Sequence, residues 1–315
     1  MAEAVCLGEL LIDFVSLKAG VRLADAPEFR RAAGGAPANV AVGLARLGVK
    51  TAFVSKVGAD EFGRFLRATL EREGVDTSGL ITTKQAPTGL AFVSLAKNRE
   101  RTFAFYRDPC ADTLLAPGDL RERPWRGARI FHYGSISLIA EPSRSATLAA
   151  IARASERGML ISCDPNLRLP LWSSASEARA GMKLALRYPH IVKISEEEVD
   201  FLGSVPRAPL VVVTRGPRGG TVIELGRRLF DFPAFPVKSI DSTGAGDAFT
   251  AGLLYGTLRG LPLRETIRFA AACGALATLR RGAIPAMPGI AAVRRVLSHH
   301  EGTKEKTAKN TENSS

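Results

Sequence analysis

Short apolar runs recur along this chain, and the stretches between them return their apolar residues at helical spacing. The runs are Val5 to Leu7, Leu11 to Val15, Ile130 to Tyr133, Leu160 to Cys163, Ile191 to Ile194 and Leu210 to Thr214. Each is too short for a helix, and continuous apolar character marks strands buried on both faces. Ala36 to Leu47 has helical periodicity, with Pro37 suited to a first turn and Gly48 to a C-terminal cap. Val54 and Val57 precede a second helix at about 61–73, stopped by Gly74. Helices near 143–157, 174–187 and 195–202 separate the later strands. This alternation predicts an α/β fold with a largely parallel sheet covered by helices on both faces.

Two segments break the rhythm. Gly89 to Leu95 and Thr102 to Tyr106 read as paired strands around the polar turn Lys97 to Arg101, and 219–224 and 228–231 read as a hairpin around Gly226. Three helices follow, near 245–258, 262–279 and 288–299. From Glu301 to Ser315 no apolar residue is larger than Ala308, so that stretch cannot build a core and is expected to be a disordered polar tail. There is no internal repeat.

Composition narrows the class. The 315 residues are 46% hydrophobic and 23% charged, which suits a globular chain with a sizeable core. No apolar run is long enough to span a membrane, and Met1 to Leu7 runs into a strand without a signal-peptide layout. Cys6, Cys110, Cys163 and Cys273 are scattered, so they are expected to pack as small apolar residues in a reducing compartment, with the cytoplasm as default. The net charge of +12 comes from Arg and Lys spread along the whole chain. With no aromatic-interleaved basic stripe, it describes a solvated surface rather than a nucleic-acid face.

The chemistry is concentrated in Asp241-Ser-Thr-Gly-Ala-Gly-Asp247-Ala-Phe249. Gly244, Ala245 and Gly246 allow a tight turn, and the residues from Ala248 to Leu258 have the composition of a buried helix. A helix N-terminus offers unpaired N–H groups and a positive dipole end, so it can hold an anion. Asp247, placed there, can take a proton from a hydroxyl while the amides of Ala245, Gly246 and Asp247 hold a transferring phosphoryl group. As a bare tripeptide, Gly-Ala-Gly is also an ordinary turn. There is no Gly-x-x-x-x-Gly-Lys-Ser/Thr string and no His-Arg-Asp with Asp-Phe-Gly, which argues against P-loop and protein kinases.

The nine-residue string resembles the second signature of the ribokinase-like (PfkB) carbohydrate kinases. Ala33-Gly-Gly-Ala-Pro-Ala-Asn39-Val-Ala41 resembles the first signature. Between them stand the segments His132 to Pro142, Asp164 to Trp172 and Ile194 to Glu198, and Arg281-Gly-Ala-Ile-Pro285 follows. The wording is most similar to plant-type fructokinases over about residues 4 to 298. The resemblance implies a three-layer ribokinase-like sandwich over 1–300, with a small β lid from roughly 14–32 and 88–108 that closes over the sugar, and a homodimer through the lid. It implies ATP as co-substrate, Mg2+, and in some relatives K+. Excluding water is the physical use of a lid, because water competes with the sugar hydroxyl for the phosphoryl group.

The family's functional positions carry over residue by residue. Asp13, Gly34, Gly35 and Asn39 correspond to sugar contacts; alone, Asp13 reads as a loop acid and Gly34-Gly35 as a loop before a helix. Glu141 corresponds to an acid near the substrate, or simply precedes a helix. Arg107 reaches the sugar or a phosphate, or is an exposed hairpin arginine. Asp164, Asn166 and Arg168 look like the residues facing magnesium and the ATP phosphates, although Asp-Pro-Asn is also a ligand-free turn. The family commonly has Asn-x-x-Glu where this chain has Ser195 and Glu198. Ser195 is read as a helix cap and Glu198 as a magnesium-water ligand. Lys193 is a candidate phosphate contact, or a solvated strand-end lysine. Thr214, Gly216 and Gly219 resemble the nucleotide-binding turn. Ala271 stands where relatives often carry Asn, which leaves nucleotide preference open. Asp241 and the carbonyls of 281–283 match places where some relatives bind a monovalent cation. His132, on an apolar strand, reads as a core residue.

Two readings compete with a fructokinase. One is a kinase for another acceptor, such as 2-keto-3-deoxygluconate, ribose or a nucleoside; the other is a non-catalytic, kinase-like binding protein.

Overall fold

The computed structural model describes residues 1–18, 20–95 and 101–299. Its core is a nine-stranded sheet in the order β13-β12-β11-β10-β9-β8-β1-β4-β5. Toward one edge run β1 (Ala4–Leu7), β4 (Thr51–Gly58) and β5 (Asp76–Thr83). On the other side lie β8 (Ile130–Tyr133), β9 (Leu160–Cys163), β10 (Ile191–Ser195), β11 (Leu210–Thr214), β12 (Gly220–Glu224) and β13 (Arg227–Phe232). All neighbours pair in parallel except the last hairpin, where β11, β12 and β13 are antiparallel.

Strand alternation divides the core. Ala4 and Cys6 of β1 pack with α1 (Ala36–Arg46), α6 (Ala245–Leu258) and α7 (Leu263–Ala277), while Val5 and Leu7 pack with α3 (Ser143–Glu156). Leu66 and Leu70 of α2 (Glu61–Arg72) join the first face; α4 (Ala175–Ala185) and α5 (Glu196–Leu202) cover Val192, Ile194, Val211 and Val213 on the second. A last helix, α8, covers 290–299. The expected α/β class with helices on both faces is the one observed.

A second sheet, in the order β3-β2-β6-β7, is built from β2 (Leu11–Ser16), β3 (Phe29–Gly34), β6 (Leu90–Leu95) and β7 (Arg101–Tyr106). Its own small core is aromatic: Phe14 stacks on Phe92 at 4.9 Å, Phe29 and Tyr106 meet Phe92 edge-on, and Phe62 of α2 meets Phe14. Because β2 follows β1 and β3 runs into α1, this sheet is tied to the carboxyl end of β1. The polar turn expected at 97–101 lies largely outside the described residues, as does the stretch 301–315.

Two strands escaped the sequence pattern. β5 is Asp-Thr-Ser-Gly-Leu-Ile-Thr-Thr at the edge of the large sheet, and β3 carries the exposed Arg30 and Arg31 at the edge of the small one. Edge strands face water and need no apolar run. The cysteines are free and buried, and His132 is buried with its Nδ1 3.2 Å from Ser162 Oγ, as expected of core residues.

Candidate active site

β1 lies between β4 and β8 in the large sheet, and the chain leaves its carboxyl end for β2 of the small one. The crevice at the carboxyl ends of such strands is where open α/β sheets bind ligands. Gly8 and Glu9 follow β1, Gly134 follows β8, Asp164 follows β9, Ser195 ends β10 and Thr214 ends β11.

Asp247 faces this crevice from the first turn of α6 and is buried. Gly244 caps the helix in a left-handed conformation (φ 77°), and a Cβ there would come within 2.9 Å of Ala283. The Ala245 amide is committed to the Ser242 carbonyl at 3.2 Å, closing the turn. Of the three expected donors, it is therefore already engaged, and Gly246 and Asp247 remain as the donors at the helix start. Asn39 donates from Nδ2 to Asp247 Oδ2 at 2.7 Å, joining the two signature segments across 208 residues. Burial pushes the Asp247 carboxyl up to about 6 and the nearby Asp164 adds to this, while the Asn39 bond, Lys193 and Arg168 pull the other way.

Lys193 Nζ lies 3.0 Å from Asp164 Oδ2, and both side chains are buried. Burial opposes the lysine's charge, but Asp164, Glu198 and Asp247 outweigh it and hold its pKa above the ordinary value. A Cβ on Gly246 would meet this ammonium at 2.8 Å, so the cation stands beside the helix start. It is not a solvated strand-end lysine. Thr250, one turn beyond Gly246, donates to the same Asp164 oxygen at 3.2 Å. The other oxygen, Oδ1, is buried with no hydrogen-bond partner among the described residues.

Ser195 caps α5, as expected. Glu198 accepts the Ser195 amide at 2.9 Å and the Leu167 amide at 2.6 Å, one on each oxygen. It thereby fixes the loop that carries Asn166, which has positive φ (49°), and Arg168. Two residues past β8, Ser135 clamps the same loop by donating from Oγ to the Pro165 carbonyl. Thr214, Gly216 and Gly219 lie together at the β11 turn; a Cβ on Gly219 would fall 1.9 Å from the Phe232 carbonyl.

At the small-sheet end of the crevice, Gly34 is shaped to Asp13. A Cβ there would stand 2.1 Å from Asp13 Oδ2, so the carboxylate lies over the glycine. Gly35 caps α1 at φ 113°. Arg107 is buried and ion-paired with Asp112, which rules out the exposed hairpin arginine. Glu141 is exposed and accepts the Ser145 amide at the start of α3, the helix-preceding acid of its alternative reading. Asp241 accepts from the Thr243 amide and hydroxyl and from the Gly282 amide, tying the turn before α6 to the 281–283 loop.

Residues 1–289 match the model of the pfkB family carbohydrate kinases. The chain belongs to this family. The kinase is 46% identical to probable fructokinase-7 of Arabidopsis thaliana, over 93% of this chain and 92% of the relative. Its fold superposes on the fructokinase of Xylella fastidiosa with bound ATP at a TM-score of 0.85, with 34% identity, covering 96% of this chain and 100% of that one. The fructokinase of Vibrio cholerae O395, in a form with fructose, ADP and calcium ion bound, gives 0.84 and 36% identity over 94% and 99% of the two chains. The likeness to sugar kinases thus spans both sheets and the crevice of this kinase.

Three residues of the site carried no signal in the sequence: Glu9, Ser135 and Thr250. Each acts on a partner far along the chain, and no local spacing betrays that. Among the described residues no three His, Cys, Asp or Glu side chains gather as a metal cage, and no helix is long and apolar enough to cross a membrane.

Proposed function

We propose that this kinase transfers the γ-phosphoryl group of ATP to the 6-hydroxyl of D-fructose. The observation that carries the reading is the buried Asp247 carboxyl at the start of α6, bonded to Asn39 and next to Lys193. With a pKa of about 6, Asp247 is ionised at neutral pH yet is a better proton acceptor than an ordinary aspartate. The helix-start amides and Lys193 face the charge that develops as the phosphoryl group moves. Asp13, Gly34, Gly35 and Asn39 hold the sugar, and the four-stranded sheet closes over it. The nucleotide runs along Asn166, Arg168, Thr214, Gly216 and Gly219.

The residues fit magnesium as a partner held mostly by phosphates and water. Asp164 Oδ1 is a buried acceptor with no hydrogen-bond partner among the described residues, and Glu198 holds the loop that follows Asp164 through the Leu167 amide. Bound with the nucleotide, the ion would neutralise phosphate charge. A neutral sugar is favoured over an acidic one because Arg107, the cation a keto acid would use, is already compensated by Asp112. The names of the relatives supply fructose as the specific acceptor.

A coupled assay with ATP and magnesium against fructose, ribose, 2-keto-3-deoxygluconate and a nucleoside tests the proposal. Fructose should give the highest kcat/KM. Preference for the keto acid would overturn the acceptor while leaving the kinase, and no turnover with any acceptor would favour the non-catalytic reading.

A further inference from the structure

Glu9 is a buried carboxylate beside the sugar crevice to which the proposed mechanism gives no task. It stands two residues past β1, where the chain passes from the large sheet to the small one, and is 3% exposed. Its Oε1 accepts the Ala36 amide at 2.8 Å. That amide opens α1, and the residue that caps the helix is Gly35, which has no side chain to accept it. Glu9 therefore caps α1 in trans, from 27 residues away. The approach is close on the backbone as well, since a Cβ on Gly35 would stand 2.2 Å from the Glu9 carbonyl.

The bond lies at the head of a chain of contacts that ends at Asp247. Asn39 makes the first helical bond of α1, from its amide to the Gly35 carbonyl at 2.9 Å, and its side chain donates to Asp247. Moving the Gly34-Gly35 turn would move Asp13's glycine bed at one end and Asn39 at the other. The second oxygen of Glu9 takes no part in this bonding. Oε2 is buried with no hydrogen-bond partner among the described residues, an arrangement that costs stability. Burial pushes the carboxyl up to about 7, with Arg107 opposing and Asp112 adding to the rise. A leucine or methionine would fill the space without that cost but could not hold Ala36.

We propose that Glu9 is a positioning residue for the acceptor sugar, pinning the Gly34-Gly35 turn and through α1 the Asn39–Asp247 pair. The inference rests on the sugar being held at that turn, as in the function proposed above. It requires the acceptor bond to Ala36 and not the negative charge. Glutamine is isosteric with the protonated acid and keeps that acceptor, whereas alanine lacks it and aspartate is one methylene too short to reach.

The test compares Glu9→Ala, Glu9→Asp and Glu9→Gln, using whichever acceptor the wild-type kinase turns over fastest, so a wrong choice of sugar does not count against Glu9. Glu9→Ala and Glu9→Asp should each raise the sugar KM about fivefold or more, with the ATP KM within about twofold. Glu9→Gln should return the sugar KM to within about twofold of wild type. Should Glu9→Ala fail to fold, the Asp and Gln pair carries the same comparison. A purely structural Glu9 would lower the melting temperature and move both KM values together, which would overturn the proposal. So would an unchanged sugar KM in Glu9→Asp, or a Gln variant as impaired as the Asp variant.

Discussion

Replacing Asp247 by Asn should give a kinase that barely turns over and yet, above pH about 6, melts later than the wild type. The carboxyl moves from its ordinary value of 3.8 to about 6 on folding, chiefly because burial disfavours its charge. An acid with a raised folded pKa binds its proton more tightly in the folded state. Its contribution to stability is therefore full below the unfolded value and is lost as pH rises through about 6. About two pH units, at 1.36 kcal/mol each, make that loss roughly 3 kcal/mol at neutral pH. Asparagine cannot ionise and so avoids it, while its amide oxygen can still accept the Asn39 Nδ2 bond. Scanning calorimetry from pH about 4 to about 8 should find the two proteins alike at the acid end and the variant higher by a few degrees at the other. The same substitution should cut turnover by about 10²–10⁴-fold, the usual span for a lost general base. Wild-type kcat/KM should climb through pH about 6 to a plateau as the base loses its proton. A melting difference independent of pH would refute the buried-charge account, and turnover within a few-fold of wild type would remove Asp247 from the chemistry.

Gly34→Ala should raise the sugar KM at least about tenfold with little change for ATP, because the added carbon would sit 2.1 Å from Asp13 Oδ2 and displace a charge-assisted contact. Steady-state kinetics decides it, and an ATP KM raised as much as the sugar KM would count against the assignment. Lys193→Met leaves Asp164 buried without its cation, a loss of about 3–5 kcal/mol in denaturant unfolding. Adding Asp164→Asn should restore most of the stability and none of the activity; a double variant as unstable as the single one would show that the ion pair is not the cause.

Which parts of this fold could be read from the sequence follows from how each segment meets water. β8, β9, β10 and β11 lie inside the large sheet, buried on both faces, and their apolar runs stand out. β5 and β3 are edges, and their polar residues look like loop until the neighbouring strand is in place. β4 lies between these cases. All eight of its residues are buried, but Thr51, Ser55, Lys56 and Gly58 interrupt the apolar pattern, so only Val54 and Val57 marked it. Lys56 is buried because its ammonium reaches the Leu114 carbonyl and Asp119, partners no local window contains.

The site divides along the same line. A helix N-terminus is a local object, so Gly244 to Asp247 declares its anion-holding character in one string, and Ser195 with Glu198 declares a capping box in another. Burial and long-range pairing are not local. Arg107 and Lys193 each had a solvated reading in the sequence, and each was decided by a carboxylate that makes burying the cation tolerable: Asp112, five residues on, and Asp164, 29 residues back. Glu141 went the other way, since its bond to Ser145 needs only the start of α3. The hardest to see were residues whose whole role is to hold another segment. Thr250 and Asp164 are 86 positions apart, and Glu9 and Ala36 are separated by the first hairpin of the small sheet. The strings name groups able to do chemistry. The distances among them come in part from residues that do none, such as Thr250 and Glu9, which hold one segment against another.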